Sequence, residues 1–248
     1  MFQKKLFVIT CRNVEKSISH VISAFEIEEN YNFFNEILII DNKSNDKTIY
    51  LINDFLKKFN ENNNKIKLHI NEKNIGYGGS VKFAFDYAVN NDFDTISIHH
   101  GDNQTSTNIM IQRIIENFNL INDNSIIIAS RFINKEDTEK FNPFRRYGNF
   151  YFRWFTKILT GLSLSDPGAA LCTMPVQILK KIDIKKLDTN FMFHPQLNLK
   201  LYENNISFNE FPIQWSDSSD KGDINLIKYG LQLKLFLIKW KLKKILKL

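Results

Sequence analysis

Asp102 lies in a stretch, Thr95 to Gln104, in which a short apolar run gives way abruptly to polar groups. Thr95-Ile96-Ser97-Ile98 has the β-branched character of a buried strand, and His99-His100-Gly101-Asp102-Asn103-Gln104 follows it directly. A carboxylate at the carboxyl end of a central strand points into the crevice where open α/β sheets bind ligands. Asp102 is therefore a candidate for a metal and diphosphate site, its plain alternative being a cap on a helix beginning near Thr107 and Asn108. Asp41 has the same setting at the end of Glu36-Ile37-Leu38-Ile39-Ile40-Asp41, before the turn Asn42-Lys43-Ser44-Asn45-Asp46. His100, beside His99, is a candidate imidazole ligand, and His194 is a more distant one.

The elements that must position these groups alternate. Leu6 to Thr10, Glu36 to Asp41, Ile66 to Ile70, Thr95 to Ile98 and Ser125 to Ala129 read as strands. Between them lie amphipathic stretches such as Ile49, Ile52, Phe55, Leu56 and Phe59, and Val81, Ala84, Phe85, Ala88 and Val89. Asn13 is a candidate cap for a helix from Glu15 to Glu28. Strands alternating with helices through residue 131 predict a mostly parallel sheet between two helical layers. Asn134 to Gly148 is a polar stretch long enough for a flap. An aromatic helix from Asn149 to Leu159 follows, then a short strand at Leu171 to Thr173, helices opened by Pro175 and Pro195, and a last strand at Ser207 to Gln214 whose Pro212 suits an edge.

Length and charge narrow the class. A chain of 248 residues suits one large α/β domain, here residues 1–220, followed by a tail, 221–248. Of 33 basic residues, seven lysines fall in 225–248, where there is no acid, which leaves 26 basic against 27 acidic residues in the rest. A near-neutral body is a poor nucleic-acid binder. Two distant cysteines, Cys11 and Cys172, argue against a disulfide framework and for a reducing compartment. Met1 to Thr10 has too short an apolar run for a signal peptide, and no run reaches the ~20 residues of a spanning helix. A cytoplasmic protein is expected.

The tail carries two apolar stripes at helical spacing. Leu231, Leu235, Ile238, Leu242, Ile245 and Leu246 form one, and Leu233, Phe236, Leu237 and Trp240 lie nearly opposite. One stripe can pack on the domain while the other enters a lipid interface, with Lys239, Lys241, Lys243, Lys244 and Lys247 meeting anionic head groups. A partner helix or dimer seam is the alternative, and would make a homo-oligomer.

Asn74-Ile75-Gly76-Tyr77-Gly78-Gly79 follows the third predicted strand and not the first, so it is no dinucleotide fingerprint, and no G-x-x-x-x-G-K-[ST] loop occurs. Taken in order, the motifs resemble those of family-two glycosyltransferases with the GT-A fold, and more narrowly the dolichyl- or polyprenyl-phosphate sugar synthase group. Ile40-Asp41-Asn42-Lys43-Ser44-Asn45-Asp46-Lys47-Thr48 resembles V-D-D-G-S-x-D-G-T, and Asn74 to Gly79 resembles N-x-G-x-G-G. His100-Gly101-Asp102-Asn103-Gln104 stands in place of D-x-D-x-Q, Ser130-Arg131 in place of S-R, and Asp166-Pro167-Gly168 and Glu210-Phe211-Pro212-Ile213 in place of D-x-x-(S)-G and E-x-P-I. The departures are His100 for the first acid of D-x-D, Thr10 for the usual Pro, and Val14 for the usual Glu.

The resemblance implies a Rossmann-like GT-A domain with a C-terminal amphipathic basic helix. It also implies a nucleotide-sugar donor, UDP- or GDP-linked, bound by Thr10, Arg12, Asn13, Asp41, Asn74, Gly76, Asp102 and Gln104. Asp102, with His100 as a second candidate, would hold Mg²⁺ or Mn²⁺ against the diphosphate, since hard cations take oxygen ligands and keep phosphates and waters. An acceptor lipid phosphate is already an anionic nucleophile and needs cations, for which Arg131, Arg145 and Arg146 are suited. An acceptor hydroxyl needs a base, for which Asp166 is the candidate. The leading expectation is sugar transfer to polyprenyl phosphate at the cytoplasmic membrane face. Transfer to a hydroxyl of a growing polysaccharide is the second, and a non-catalytic nucleotide-sugar-binding protein the third.

Overall fold

A computed structural model describes residues 2–59, 65–134, 143–216, 220 and 226–246, with the side chains of 143–145 and 226 outside the description. Seven strands, β1 (Lys5–Cys11), β2 (Glu36–Asp41), β3 (Ile66–Ile70), β4 (Thr95–His100), β5 (Ser125–Ser130), β6 (Cys172–Pro175) and β7 (Ser207–Pro212), make one sheet. Their order is β3-β2-β1-β4-β6-β5-β7. All neighbours pair in parallel except β6, which is antiparallel to both β4 and β5. The helices are α1 (Ile18–Ile22), α2 (Glu28–Phe33), α3 (Thr48–Phe59), α4 (Tyr77–Asn90), α5 (Thr107–Asn117), α6 (Pro143–Thr160), α7 (Val176–Leu179), α8 (Phe193–Glu203) and α9 (Leu226–Leu246).

Both faces of the sheet are covered, which is why its central strands read as unbroken apolar runs. Leu6, Val8, Leu38, Ile40, Ile96 and Ile98 face α4 and α8, packing on Val81, Phe85, Leu197 and Leu201. Phe7, Ile9, Ile37 and Ile39 face the other way, onto Ile18, Val21, Ile52, Met110 and Ile114. The same alternation separates the adjacent histidines. His99 goes to the α5 face, where Nε2 lies 3.0 Å from Thr107 Oγ1, and His100 goes to the α4 face.

Three expectations are corrected. The helix from Glu15 to Glu28 is broken into α1, a 3₁₀ turn at Ser23–Glu26 and α2, because Ile27 is extended and Asn30 Nδ2 donates to Ala24 O at 2.8 Å. Asn13 does not cap it: its φ is +52°, and Ser17 holds the cap position. The aromatic helix begins at Pro143, so the C-terminal part of the expected flap is helical, while residues 135–142 lie outside the described residues.

Helix α9 closes the chain over α6 and α8. Leu233 and Leu237 are buried with Met192 and Leu199, and Phe152, Phe155, Phe236 and Trp240 pack around them. Burying one such leucine stabilises by about 1.5–3 kcal/mol. The two long helices lie side by side in the same direction, since Gly230 sits against the Phe152 ring and, further along both, Trp240 borders the same cleft as Leu159 and Thr160. The other stripe is left outside: Ile227, Leu231, Leu235, Leu242, Ile245 and Leu246 are each at least half exposed. No described helix is long and apolar enough to cross a membrane.

Candidate active site

The carboxyl ends of β1, β2 and β4 meet at one edge of the sheet. Gly101 N donates to Thr10 O at 2.9 Å, and a Cβ on Gly101 would lie 2.6 Å from Cys11 Cβ. Only glycine lets β4 run this close to β1, and the residue after it is Asp102. Asp102 is half-buried, and its Oδ1 accepts from Gln104 N at 3.3 Å, so the carboxylate also shapes its own turn. Gln104 is held in turn by Ser216 N, which donates to Gln104 O at 2.8 Å.

The donor-side residues are brought together, but several are occupied by the protein itself. Asp41 is fully buried and accepts from Ser44 N (2.8 Å) and Ser44 Oγ (2.5 Å). The carboxylate of this expected donor-binding residue is thus turned onto its own strand-end turn. Asn13 accepts from Asn45 N at 2.9 Å and gives its own N–H to Ser44 Oγ at 2.8 Å, which staples the turn after β1 to the turn after β2. Thr10 is buried and donates to His99 O at 3.4 Å, while Arg12 is half-buried beside it.

Asn42, Asn71 and Asn74 form a second staple. Asn42 donates to Asn74 Oδ1 at 2.8 Å and accepts from Asn71 Nδ2 and Ile75 N, and Asn74 Oδ1 also accepts from Gly76 N at 2.9 Å. The glycines that follow approach a backbone closely, and that backbone is the chain's own. Gly76 has φ +79° and its Cβ would lie 2.2 Å from Thr189 O, while a Cβ on Gly78 would lie 2.7 Å from Asp188 O. Gly76→Ala is expected to cost at least the 1–3 kcal/mol of an overpacked site, since the atom its Cβ would meet first is the Thr189 backbone carbonyl and its φ is positive. A melting temperature equal to wild type would contradict that packing.

Tyr77 enters from the first turn of α4 and bridges two histidines, with its hydroxyl 2.9 Å from His100 Nε2 and 2.6 Å from His194 Nε2. Burial, and then the neighbouring His100, push the His194 pKa down to about 3. Burial also lowers His100, aided by Arg131 and opposed by Asp102. Both imidazoles are therefore neutral at pH 7, and the Tyr77 hydroxyl donates to one and accepts from the other. Among the described residues no three His, Cys, Asp or Glu side chains converge on a metal position. His100 Nε2 is engaged by Tyr77, which puts His100 second to Asp102 as a candidate ligand. Asp102 remains, a hard oxygen donor of the kind that Mg²⁺ and Mn²⁺ accept alongside phosphates and water.

Arg131, at the end of β5, is paired with Asp166. Nε donates to Oδ2 at 2.6 Å and Nη2 to Oδ1 at 2.9 Å, a bidentate fork in which Asp166 is only 1% exposed and Arg131 25%. The guanidinium lies over the rings of Trp215 and Phe132, at 5.0 and 5.3 Å. Ser165 beside it is held by Glu210, which accepts from Ser165 N at 2.8 Å and from Oγ at 2.5 Å. Arg131 and Asp166, expected to serve alternative acceptors, are thus two halves of one unit. Arg146 is exposed on α6 beside Tyr147 and makes no ion pair with that unit, and the Arg145 side chain lies outside the description.

The sequence model of Glycosyl transferase family 2 matches residues 6–183, most of the chain and all of the strands just described except β7. The chain belongs to this family. As a family-two glycosyltransferase it is an enzyme of the nucleotide-sugar-dependent class. No protein of curated function matches its sequence. Among solved structures it is similar to glucosyl-3-phosphoglycerate synthase from Mycobacterium tuberculosis in complex with Mn²⁺, UDP and glucosyl-3-phosphoglycerate. That match has a TM-score of 0.64 and 11% identity, and covers 96% of this chain and 79% of that one. It is also similar to mannosyl-3-phosphoglycerate synthase from Rubrobacter xylanophilus, with a TM-score of 0.67 and 12% identity, covering 99% and 75%. At such identities the likeness establishes the GT-A fold of this glycosyltransferase.

Sequence reasoning missed Tyr77, Trp215 and Tyr229. Tyr77 occupies a variable place in the glycine motif, and Trp215 and Tyr229 follow the last predicted strand with no motif around them.

Proposed function

We propose that the enzyme transfers a sugar from a UDP- or GDP-linked donor to polyprenyl phosphate at a membrane surface. The observation that carries this reading is the position of α9. Its inner side lies beside the Arg131–Asp166 unit through Tyr229, and its outer side is an apolar stripe flanked on both edges by lysines, Lys228, Lys239 and Lys243 on one and Lys234 and Lys241 on the other. Tyr147, Phe150, Trp154 and Ile158 of α6 are exposed as well, and neither helix contains an acidic residue. A helix of this pattern lies in a lipid interface, where each lysine contributes on the order of 1 kcal/mol at an anionic surface.

In this reading the donor lies at the β1–β4 edge, with its diphosphate near Asp102. Asp102 would hold the divalent cation, which would supply positive charge to offset that of the leaving nucleoside diphosphate. The UDP and Mn²⁺ of the similar M. tuberculosis enzyme support that donor chemistry. An oxygen of the acceptor phosphate forms the new bond to the anomeric carbon as the bond to the nucleoside diphosphate breaks, and no proton need be removed from the attacking anion. Arg131 receives the acceptor on the edge of its guanidinium that Asp166 does not use. The hydroxyl-acceptor alternative asks Asp166 to act as a base while both its oxygens accept from Arg131, which weighs against it. The test is release of nucleoside diphosphate on adding polyprenyl phosphate in vesicles; release only with a glycan acceptor would overturn the reading.

Membrane attachment is tested separately. Deleting α9 would uncover Met192 and Leu199, so the informative variant alters the outer stripe alone. Leu231→Gln/Leu235→Gln/Leu242→Gln is expected to move the protein from sedimented anionic vesicles to the supernatant without lowering its melting temperature. Wild-type binding is expected to weaken with salt as the ~10 Å screening length at 0.1 M shortens. Equal sedimentation of the triple variant would leave α9 without that role.

A further inference from the structure

The segment matched to the family ends at residue 183, yet a side chain from α9 reaches the acceptor side. Tyr229 lies in the first turn of α9 and packs by its ring against the cluster of Met192, Leu199, Leu233 and Leu237. Its hydroxyl faces the backbone of Gly168. A Cβ placed on Gly168 would stand 3.5 Å from Tyr229 Oη and 3.9 Å from Asp166 Oδ1, so both oxygens border the gap that a methyl group there would occupy. The gap exists because residue 168 has no side chain.

The groups around this gap leave hydrogen-bonding capacity unspent. Arg131 gives Nε and one N–H of Nη2 to Asp166, and among the described residues its Nη1 has no partner. Tyr229 Oη also makes no hydrogen bond among the described residues, and Trp215 Nε1, on the ring that stacks with Arg131, is buried without one. Burial raises the Tyr229 pKa to about 12, against Arg131 and with Asp166, so the phenol stays protonated and acts as a donor. Because Arg131 and Asp166 cancel in charge, an anion bound here needs neutral donors as well as the arginine edge.

We infer that Tyr229, supplied by the C-terminal helix, is an acceptor-binding residue that donates its hydroxyl to the acceptor phosphate held at the outward edge of Arg131. This rests on the lipid-phosphate reading above. It makes α9 part of the acceptor site as well as the membrane contact, so that seating the helix and completing the site are one event.

Two variants of the full chain test it from opposite sides of the gap. Tyr229→Phe removes one oxygen and keeps the ring in its cluster; Gly168→Ala fills the gap, at ordinary contact distances and with no positive φ to strain it. Each is expected to raise KM for polyprenyl phosphate in anionic vesicles about tenfold, with donor KM, vesicle sedimentation and melting temperature as in wild type. A KM for the lipid that stays at the wild-type value in both variants would overturn the inference, as would a matching rise in donor KM. If the wild-type enzyme glycosylates a glycan and not the lipid, the acceptor reading fails on that result alone. The same two variants then decide the role of Tyr229 by their KM for the glycan.

Discussion

Arg131→Ala and Asp166→Asn are each expected to destabilise the protein by about 3 kcal/mol, the low end for breaking a buried pair, because a quarter of the Arg131 side chain remains exposed. For a chain of this size that is a fall of roughly 6–12 °C in melting temperature. Each change removes one side of a bidentate fork and leaves the other charge among Trp215, Phe132 and the Gly168 backbone with nothing to balance it. The double variant Arg131→Leu/Asp166→Leu is expected to recover most of the loss, since no uncompensated charge remains, while turnover stays low in all three. Thermal unfolding of the four proteins gives the coupling directly. Additive losses in the double variant would mean that the two residues act separately. The consequence for enzymology is that a lost activity in either single variant does not by itself tell an acceptor-binding arginine from a catalytic base.

That coupling lay beyond the sequence, and the reason is physical. Arg131 and Asp166 are 35 positions apart, and nothing local in either segment requires the other. The same holds for the glycine motif: its close approach was legible in Gly76-Tyr77-Gly78-Gly79, but its partner, Thr189, is supplied from over a hundred residues downstream. By contrast the end of β2 was readable, because a strand buried on both faces is a continuous apolar run that a polar turn must stop, while β4 runs two residues past the expected Ile98 because His99 and His100 continue the strand despite their polarity. Strand direction was not readable, so the reversal of β6 came only with the structure: Cys172–Pro175 is short, and direction depends on the connection that precedes it.

The two stripes of the C-terminal helix show the boundary clearly. Their spacing is a local property and was legible as two faces. Which face packs is decided by Met192, Leu199 and Phe152 on other helices. Asp41 and Asn13 illustrate the converse case. Both have the residue types and strand-end positions of ligand-binding groups, and both are consumed by the turns that their own neighbours form. Short polar side chains bond to nearby backbone as readily as to ligands, so position alone does not separate the two uses.

Asp102→Asn is expected to lower kcat by about two to three decades, the scale on which one preorganised electrostatic contact to a transition state is worth, while the unliganded melting temperature changes little. Stability is spared because Asp102 is half-buried and its contact with Gln104 N, at 3.3 Å, is one that an asparagine oxygen can keep. What asparagine cannot keep is the negative charge, and with it the affinity for a hard cation at the diphosphate. UDP or GDP should therefore stabilise wild type more with Mn²⁺ than without, the whole gain with Mn²⁺ being about 2.7 kcal/mol when the nucleotide is at a hundred times its Kd, and the metal-dependent part of that gain should vanish in Asp102→Asn. His100→Gln is the control that separates the two candidate ligands, since His100 Nε2 is already engaged by Tyr77. If His100→Gln abolishes the metal-dependent gain and Asp102→Asn preserves it, the cation belongs to the imidazole and the assignment of Asp102 falls.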